Sequence, residues 1–381
     1  MTRFEITTIH ELLNYHYGGS QEVRKDDPVI STTTGVFNAV FGAMAWSQLN
    51  AEANVFALLP KYPWQHSGFR AITADAGSSG TGTITEAGAV PATAKPTFQE
   101  ITIKVAEVAH SFDVSYRQEG FVKAGDDAFG TMVQLRPYFA ALHAKRINEM
   151  LLAEVDTAGL GEQHGSFETL DRVTANTAAG AAGLYTVGDE DIYAIDRSAA
   201  AWADAVVSHN STVDRTLTIS LIEDTLATLE GNGARTNVIV TGNDTKWRII
   251  SLAQTQVRYQ GVVDTNGKAV VGINGVDTED GIGFGVKVAT IYGIPMFSSQ
   301  AVQQDTISRI YLLDTTTDDS IGLPRLGLSM LYPTLYFESG MSAANPNPFA
   351  INKFATEGVY YTAGQTVCLF FAAQGSIRDL K

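Results

Sequence analysis

The chain has 381 residues, 45% of them hydrophobic and 18% charged, and its 26 basic and 41 acidic side chains leave a net charge of −15. That length suits two or three packed lobes, and the composition is that of a folded chain. The acidic balance argues against wrapping nucleic acid by charge neutralisation, no run approaches the ~18 apolar residues of a membrane span, and the single cysteine, Cys368, excludes a disulfide framework or cysteine-built zinc site.

The opening, through about Pro28, is polar, with no secretory h-region after Met1–Thr8 and only a weak helical pattern around Ile9–Leu13. Val36, Phe37, Val40, Phe41 and Met44 recur at helical spacing and predict a helix over Thr34–Leu49, before turns at Pro60 and Pro63. In the next stretch, Gly68–Glu119, the middle run Ala74–Thr83 is small and polar. Gln99–Val105 then alternates as a half-exposed strand does, and His110–Ser115 continues the extended pattern. An arm of roughly thirty such residues is improbable inside a compact domain, and a hairpin standing alone is marginal in water. Residues 68–98 are therefore expected to pack on another subunit.

A long helical pattern follows, from about Asp126 to Asp156, with Leu135, Phe139, Leu142, Ile147, Met150, Leu151 and Val155 near one face. Pro137 is expected in its first turn. Residues 157–215 are loop-rich, with Gly159, Gly161, Gly165, Gly180 and Gly183 as punctuation, and Asp189-Glu190-Asp191 reads as a solvated turn. An α/β lobe comes next. Ser220-x-x-Glu223 reads as a capping box, Ile219, Ile222, Leu226 and Leu229 form a stripe, and Gly231-Asn232-Gly233 stops the helix. Val238–Val240 reads as a buried strand, and Asn243 or Asp244 as the cap of a second helix containing Trp247, Ile250 and Leu252. Later strands are expected at Val286–Ile291, Ile294–Ser298, Ile310–Leu313 and Leu328–Tyr332. Gly358–Ala373 alternates like paired strands around a turn at Ala363-Gly364, and Cys368 reads as a buried small hydrophobe.

The patterns that carry chemistry do not complete themselves. The seven histidines (10, 16, 66, 110, 143, 164 and 209) are dispersed, and His10-Glu11 with His16 misses the spacing of a zinc-protease helix. Gly77–Gly82 lacks the Gly-Lys-Ser/Thr ending that holds phosphates, Gly281–Gly285 lacks the dinucleotide spacing, and no Gly-x-Ser-x-Gly elbow exists. Asp264-x-Asn266-Gly267 lacks the distal Glu of a calcium loop, and Asp318-Asp319 reads as a turn. Asn210-Ser211-Thr212 and Asn243-Asp244-Thr245 match glycosylation sequons, which arise often by chance. No catalytic, metal or cofactor site is expected. The rival from another class is a polysaccharide hydrolase, which needs two carboxylates flanking one bond, and the sequence alone pairs no two of the 41 acids.

The order of segments carries a resemblance. Ile84–Pro91, Phe98, Ile101–Ala106 and Phe112–Ser115, then Val238–Thr245, Tyr292–Met296 and Phe370–Gly375, follow one another as in a known family. The chain resembles the HK97-fold major capsid proteins of tailed double-stranded DNA viruses, including those of haloarchaeal tailed viruses. The resemblance implies an α+β, HK97-like capsid fold: an N-terminal arm and first helix (1–66), an extended β-hairpin or E-loop with strands leading to the P-domain (67–115), a long spine helix with connecting loops (116–215), mainly an axial α/β A-domain (216–335), and C-terminal strands returning to the peripheral P-domain sheet (336–381). It implies a shell subunit without catalysis, forming homo-oligomeric pentamers and hexamers that enclose double-stranded DNA without sequence-specific binding. Portal and cement or turret proteins are the further partners implied, with no membrane. The expected location is the virion, after assembly in the host cytoplasm. The E-loop tip, Gly77, Ser78, Ser79, Gly80, Thr81, Gly82 and Thr83, is the expected intersubunit contact. With about thirty residues before the first apolar helix, a separate scaffolding protein or none is expected. Some members crosslink an E-loop lysine to a P-domain asparagine, and nothing matches Lys95, Asn345 or Asn347 to that pair. The alternative is an encapsulin-like nanocompartment shell.

Overall fold

A computed structural model describes residues 53–74, 95–124, 131–255, 288–319, 321–340 and 355–381, with short pieces elsewhere. The chain forms two compact units. The smaller comprises Met1–Leu49, Ser111–Phe139 and Phe337–Val359; the larger comprises Asn50–His110, Ala140–Tyr336 and Tyr360–Lys381.

The described elements run α1 (Asn54–Leu58), β1 (Lys61–Pro63), β2 (Gly68–Ala74), β3 (Thr97–Thr102), β4 (Ala106–Ser115), α2 (Tyr116–Ala124), α3 (Met132–Leu151), α4 (Leu170–Val173), α5 (Thr177–Ala181) and β5 (Val206–Ser208). They continue with α6 (Ile219–Gly231), β6 (Val238–Thr241), α7 (Asn243–Thr255), β7 (Val288–Ile291), β8 (Ile294–Ser298), β9 (Ile310–Leu313), β10 (Leu326–Gly340), β11 (Ala355–Cys368) and β12 (Gly375–Ile377).

A seven-stranded mixed sheet organises the larger unit, in the order Thr278–Glu279, β7, β8, β6, β9, β12, β5. Its centre explains the uninterrupted apolar runs. Successive side chains of a strand point to opposite faces. Val238 and Val240 of β6, with Tyr311 and Leu313 of β9, enter one core cluster; Ile239, Ile310 and Leu312 enter another on the opposite face. A strand covered on both sides reads as continuously hydrophobic rather than alternating. Helix α6 covers the second face with Ile222, Leu226 and Leu229, as its stripe predicts, and stops at Gly233, whose φ is +82°.

The second sheet has the order β1, β10, β11, β4. In β4, Ala106, Val108, Phe112 and Val114 are buried while the residues between them are exposed or half-buried, the period of a half-covered strand. Helix α3 buries His143, Ile147, Asn148 and Leu151 from its C-terminal half. Within the smaller unit, Phe112 stacks on Phe139 with ring centroids 4.2 Å apart, and Arg136 pairs with Glu338.

Several local expectations change. Helix α3 begins five residues before Pro137, after a capping box not singled out from the sequence: Thr131 Oγ1 accepts Gln134 N–H at 3.4 Å and Gln134 Oε1 accepts Thr131 N–H at 3.2 Å. Pro137 therefore lies inside the helix. Its missing donor frees the carbonyl of Val133, a residue on the solvent side at 67% exposed, where water can satisfy it. The Ser220–Glu223 capping box is absent, because α6 starts two residues earlier with Thr218 as its extended N-cap. Gly242, whose carbonyl accepts the Lys246 N–H at 3.0 Å, precedes α7 in the capping role expected of Asn243 or Asp244. Only glycine fits there, since a Cβ would stand 1.9 Å from Ser308 Oγ. Gly364 likewise marks a close approach and not a turn. Strand β11 runs straight through it, and a Cβ would lie 2.6 Å from the Ser329 carbonyl oxygen. Gly35–Val36 is a short strand paired with Pro28–Val29, so Val36 is not helical; the rest of the Thr34–Leu49 helix, the Ile9–Leu13 pattern, Asp264–Gly267 and Gly281–Gly285 lie outside the described residues.

Candidate functional site

Strands β2 and β3 form an antiparallel hairpin in the register Gly68↔Thr102, Phe69↔Ile101, Arg70↔Glu100, Ala71↔Gln99 and Ile72↔Phe98, with a bulge between Ile72 and Ala74. Opposed residues of such a pair share a face. Phe69, Ile101, Ala71 and Gln99 therefore line one side of the ribbon, and Arg70, Glu100, Ile72 and Phe98 the other.

The first side is anchored. Ile101 is buried in the main core with Phe69 and Ala71 packed against it, and Ile103 N–H donates to the Ser67 carbonyl at 2.7 Å. Trp202 Nε1–H donates to Gln99 Oε1 at 2.9 Å while its indole meets the Phe371 ring edge-on at 6.0 Å. Just past the ribbon, Lys104 N–H donates to the buried Glu162 carboxylate at 3.0 Å. Gln365 clamps the same point with all of its polar capacity engaged. Its Oε1 accepts Glu168 N–H at 2.6 Å and Thr366 N–H at 3.0 Å, and its Nε2 donates to the carbonyls of Lys104 (3.1 Å) and Ser166 (3.2 Å).

The second side is not covered by the described chain. Arg70 and Glu100 pair at 3.1 Å in the open, where an ion pair adds little stability. Farther out, Ile72 is 64% exposed and its cross-strand neighbour Phe98 61%. Ile84 and Val90 beyond them are also exposed. Two large apolar side chains thus face each other across an open ribbon, and larger apolar patches are what mark interaction sites on soluble proteins.

Of the expected tip contact, Gly82 and Thr83 are exposed coil, and Gly77, Ser78, Ser79, Gly80 and Thr81 lie outside the described residues. The exposed Ile72–Phe98 pair is not among the residues expected from the sequence. The available signal was spacing: Phe98 and Ile101 are three apart in one strand and must point to opposite faces, so burying Ile101 exposes Phe98.

The loop-rich stretch after α3 also differs from expectation, because several of its charges are inside. Asp171 is fully buried and its carboxylate accepts from Tyr311 Oη (2.8 Å), Arg378 Nη2 (2.8 Å), Arg309 Nη1 (3.1 Å) and the Val155 N–H (3.1 Å). Burial pushes the Asp171 carboxyl up, and Arg378, Arg309 and the two further hydrogen bonds outweigh it to hold the group below the usual carboxylate range. Arg309 also reaches Glu154 at 2.6 Å and Asp305 at 2.9 Å. Arg172 pairs with Glu168 at 2.9 Å, and Gly161 leaves it room: a Cβ there would sit 1.9 Å from Arg172 Nη1. Glu190, read as part of a solvated turn, is buried and accepts the Gly188 N–H at 2.7 Å. These groups tie the post-helix loops to β9 and β12 and support the anchored side of the hairpin. Cys368 is buried as expected, and burial pushes its thiol up to about 12. Among the described residues, no three His, Cys, Asp or Glu side chains are placed to hold a metal ion, and no helix is long and apolar enough to cross a membrane.

No protein-family model matches the chain, and no curated protein does. Solved structures do. The chain is similar to the capsid asymmetric unit of cyanophage A-1(L), at 15% identity and a TM-score of 0.60, over 89% of this chain and 95% of that one. It is similar to the capsid of a native GTA particle at 13% identity and a TM-score of 0.53, over 88% and 92% of the two chains. A structure from Microbacterium phage Oxtober96 matches at 13% identity and a TM-score of 0.50, over 89% and 96%. With its anchored hairpin, long helix and two sheets in that order, the chain has the HK97-like capsid fold.

Proposed function

We propose that the chain is a major capsid protein, assembling with copies of itself into pentamers and hexamers of an icosahedral shell that encloses double-stranded DNA. The observation that carries this reading is the hairpin: one face locked into its own core, the other presenting Ile72 and Phe98 uncovered. Covering both side chains on a neighbouring copy would contribute on the order of 2–4 kcal/mol. That is modest for one contact, and a closed shell repeats it at every subunit.

In this reading the E-loop lies across an adjacent subunit, the N-terminal arm reaches another, residues 216–335 form mainly the A-domain, and the C-terminal strands return to the P-domain. The net charge of −15 keeps packaged DNA from adhering to the wall. The site of action is the virion, after assembly in the host cytoplasm, with portal, cement or scaffolding proteins as further partners.

The test is electron microscopy of particles purified after expression of the full chain with its neighbouring structural proteins, followed by nuclease treatment. Closed particles holding nuclease-protected double-stranded DNA are expected. Closed particles filled with protein cargo instead would point to a nanocompartment, and a protein that remains monomeric under every condition would remove the shell reading.

A further inference from the structure

Helix α3 meets strands β4, β11 and β10 along a seam with a histidine at its centre. His143 is 1% exposed. Its Nε2 lies 2.7 Å from Thr362 Oγ1 on β11, and that hydroxyl lies 2.9 Å from Thr334 Oγ1 on β10, so one ring nitrogen ties the helix to two strands in series. The other ring nitrogen, Nδ1, is buried without a hydrogen-bond partner among the described residues. A second imidazole, His110 on β4, stands 6.4 Å away, and both rings border a hollow of about 400 Å³.

We propose that His143 and His110 form an acid-sensitive latch between α3 and the four-stranded sheet, closed while His143 is neutral and loosened when it takes a proton.

The geometry sets the direction. With its one proton on Nε2 and donated to Thr362, the neutral ring leaves a lone pair at Nδ1, which costs less to bury than a charged donor. The imidazolium carries N–H on both nitrogens, and the second would be a buried donor on a cation with no acceptor. The surroundings do not compensate. On α3, Lys145 and Arg146 both pair with Glu149, at 3.8 and 3.3 Å, so the carboxylate of that turn is already engaged. On β4, Glu107 lies beside the Tyr361 hydroxyl, and His110 adds a second positive charge if it is protonated. From β11, Tyr360 offers a ring 6.1 Å away, itself 5.0 Å from Tyr336 of β10. Burial first, and His110 second, hold the His143 imidazole below its ordinary value.

A base with a lowered folded value is protonated in the unfolded chain before the folded one. Its contribution to stability is therefore intact above the unfolded value near ~6.5 and is lost as pH falls from there toward the folded value. The inference concerns the fold of one chain and is independent of shell assembly.

Urea unfolding of the full chain between about pH 7.5 and about pH 5 tests it, with His143→Gln, which can still reach Thr362, compared with the wild type. The wild-type unfolding constant should gain close to a factor of ten for each pH unit below ~6.5 relative to the variant. Equal pH slopes in the two proteins would overturn the latch. Should His143→Gln not fold, the imidazole proton spectrum of the wild-type chain decides. One of its seven histidines should titrate below the rest and move up in His110→Gln. Seven ordinary midpoints, or no shift in that variant, would overturn it.

Discussion

Asp171 shows how a single residue can hold together parts of the chain far apart in sequence. Its carboxylate joins a short helix, the strand residue Tyr311, and two arginines of the C-terminal third, Arg309 and Arg378. An uncompensated buried cation is far more costly than the intact pair is favourable. Asp171→Asn keeps the shape and removes the charge, leaving Arg309 and Arg378 short of an anion. A loss of about 3–5 kcal/mol is expected, read as a lower urea midpoint at neutral pH. The sign with pH follows from the lowered carboxyl: the stabilisation is complete above the ordinary carboxylate value of ~3.9 and disappears as pH falls below it. The difference between variant and wild type should therefore shrink in strong acid, well below the window in which His143 acts. Asp171 was not singled out from the sequence because charged residues in a glycine-punctuated stretch read as surface. Only the fold brings Arg309 and Arg378 to it, 138 and 207 positions away.

At the scale of elements, legibility followed the kind of signal each segment carries. Strands β8 and β9 match their expected bounds, and the α6 stripe lies where predicted, because their burial is set by runs of apolar residues within one element. Capping boxes were ambiguous. Ser220-x-x-Glu223 and Thr131-x-x-Gln134 both fit the pattern, and only the second closes its two reciprocal bonds, since the Thr218 backbone already starts α6 earlier. Glycines were ambiguous for the same reason: Gly364 and Gly233 look alike in sequence, yet one admits a neighbouring strand and the other a left-handed turn. The hairpin's existence was legible from the alternation in its returning strand; the Phe98–Ile101 spacing puts those two on opposite faces, but which face is anchored depends on where Trp202 and Gln365 clamp it. Deleting Gly77–Thr83 should leave the unfolding free energy of the isolated chain within about 0.5 kcal/mol of wild type, because the anchoring contacts lie at Gln99 and Ile101–Lys104. It should also impair particle formation, as seen by negative-stain imaging. Unchanged assembly would remove the tip from the contact.

For the whole molecule, the fold was recognisable from segment order while no single motif was specific, and the similarity to known capsids at 13–15% identity is of the same kind. The layout of this chain is a hairpin clamped at its root, a long helix on a sheet, and a double-faced central sheet. Such a layout separates the stability of one chain from its association with others. The core, the Asp171 network and the Gln365 clamp serve the first; in the proposed function the outer ribbon face serves the second. Sedimentation velocity of the full chain carrying Ile72→Asp and Phe98→Asp, beside the wild type under assembly conditions, tests that separation most directly. The double variant should fold with an unchanged urea midpoint and sediment as small species while the wild type forms large closed particles. Particles of wild-type size and yield from the double variant would contradict it.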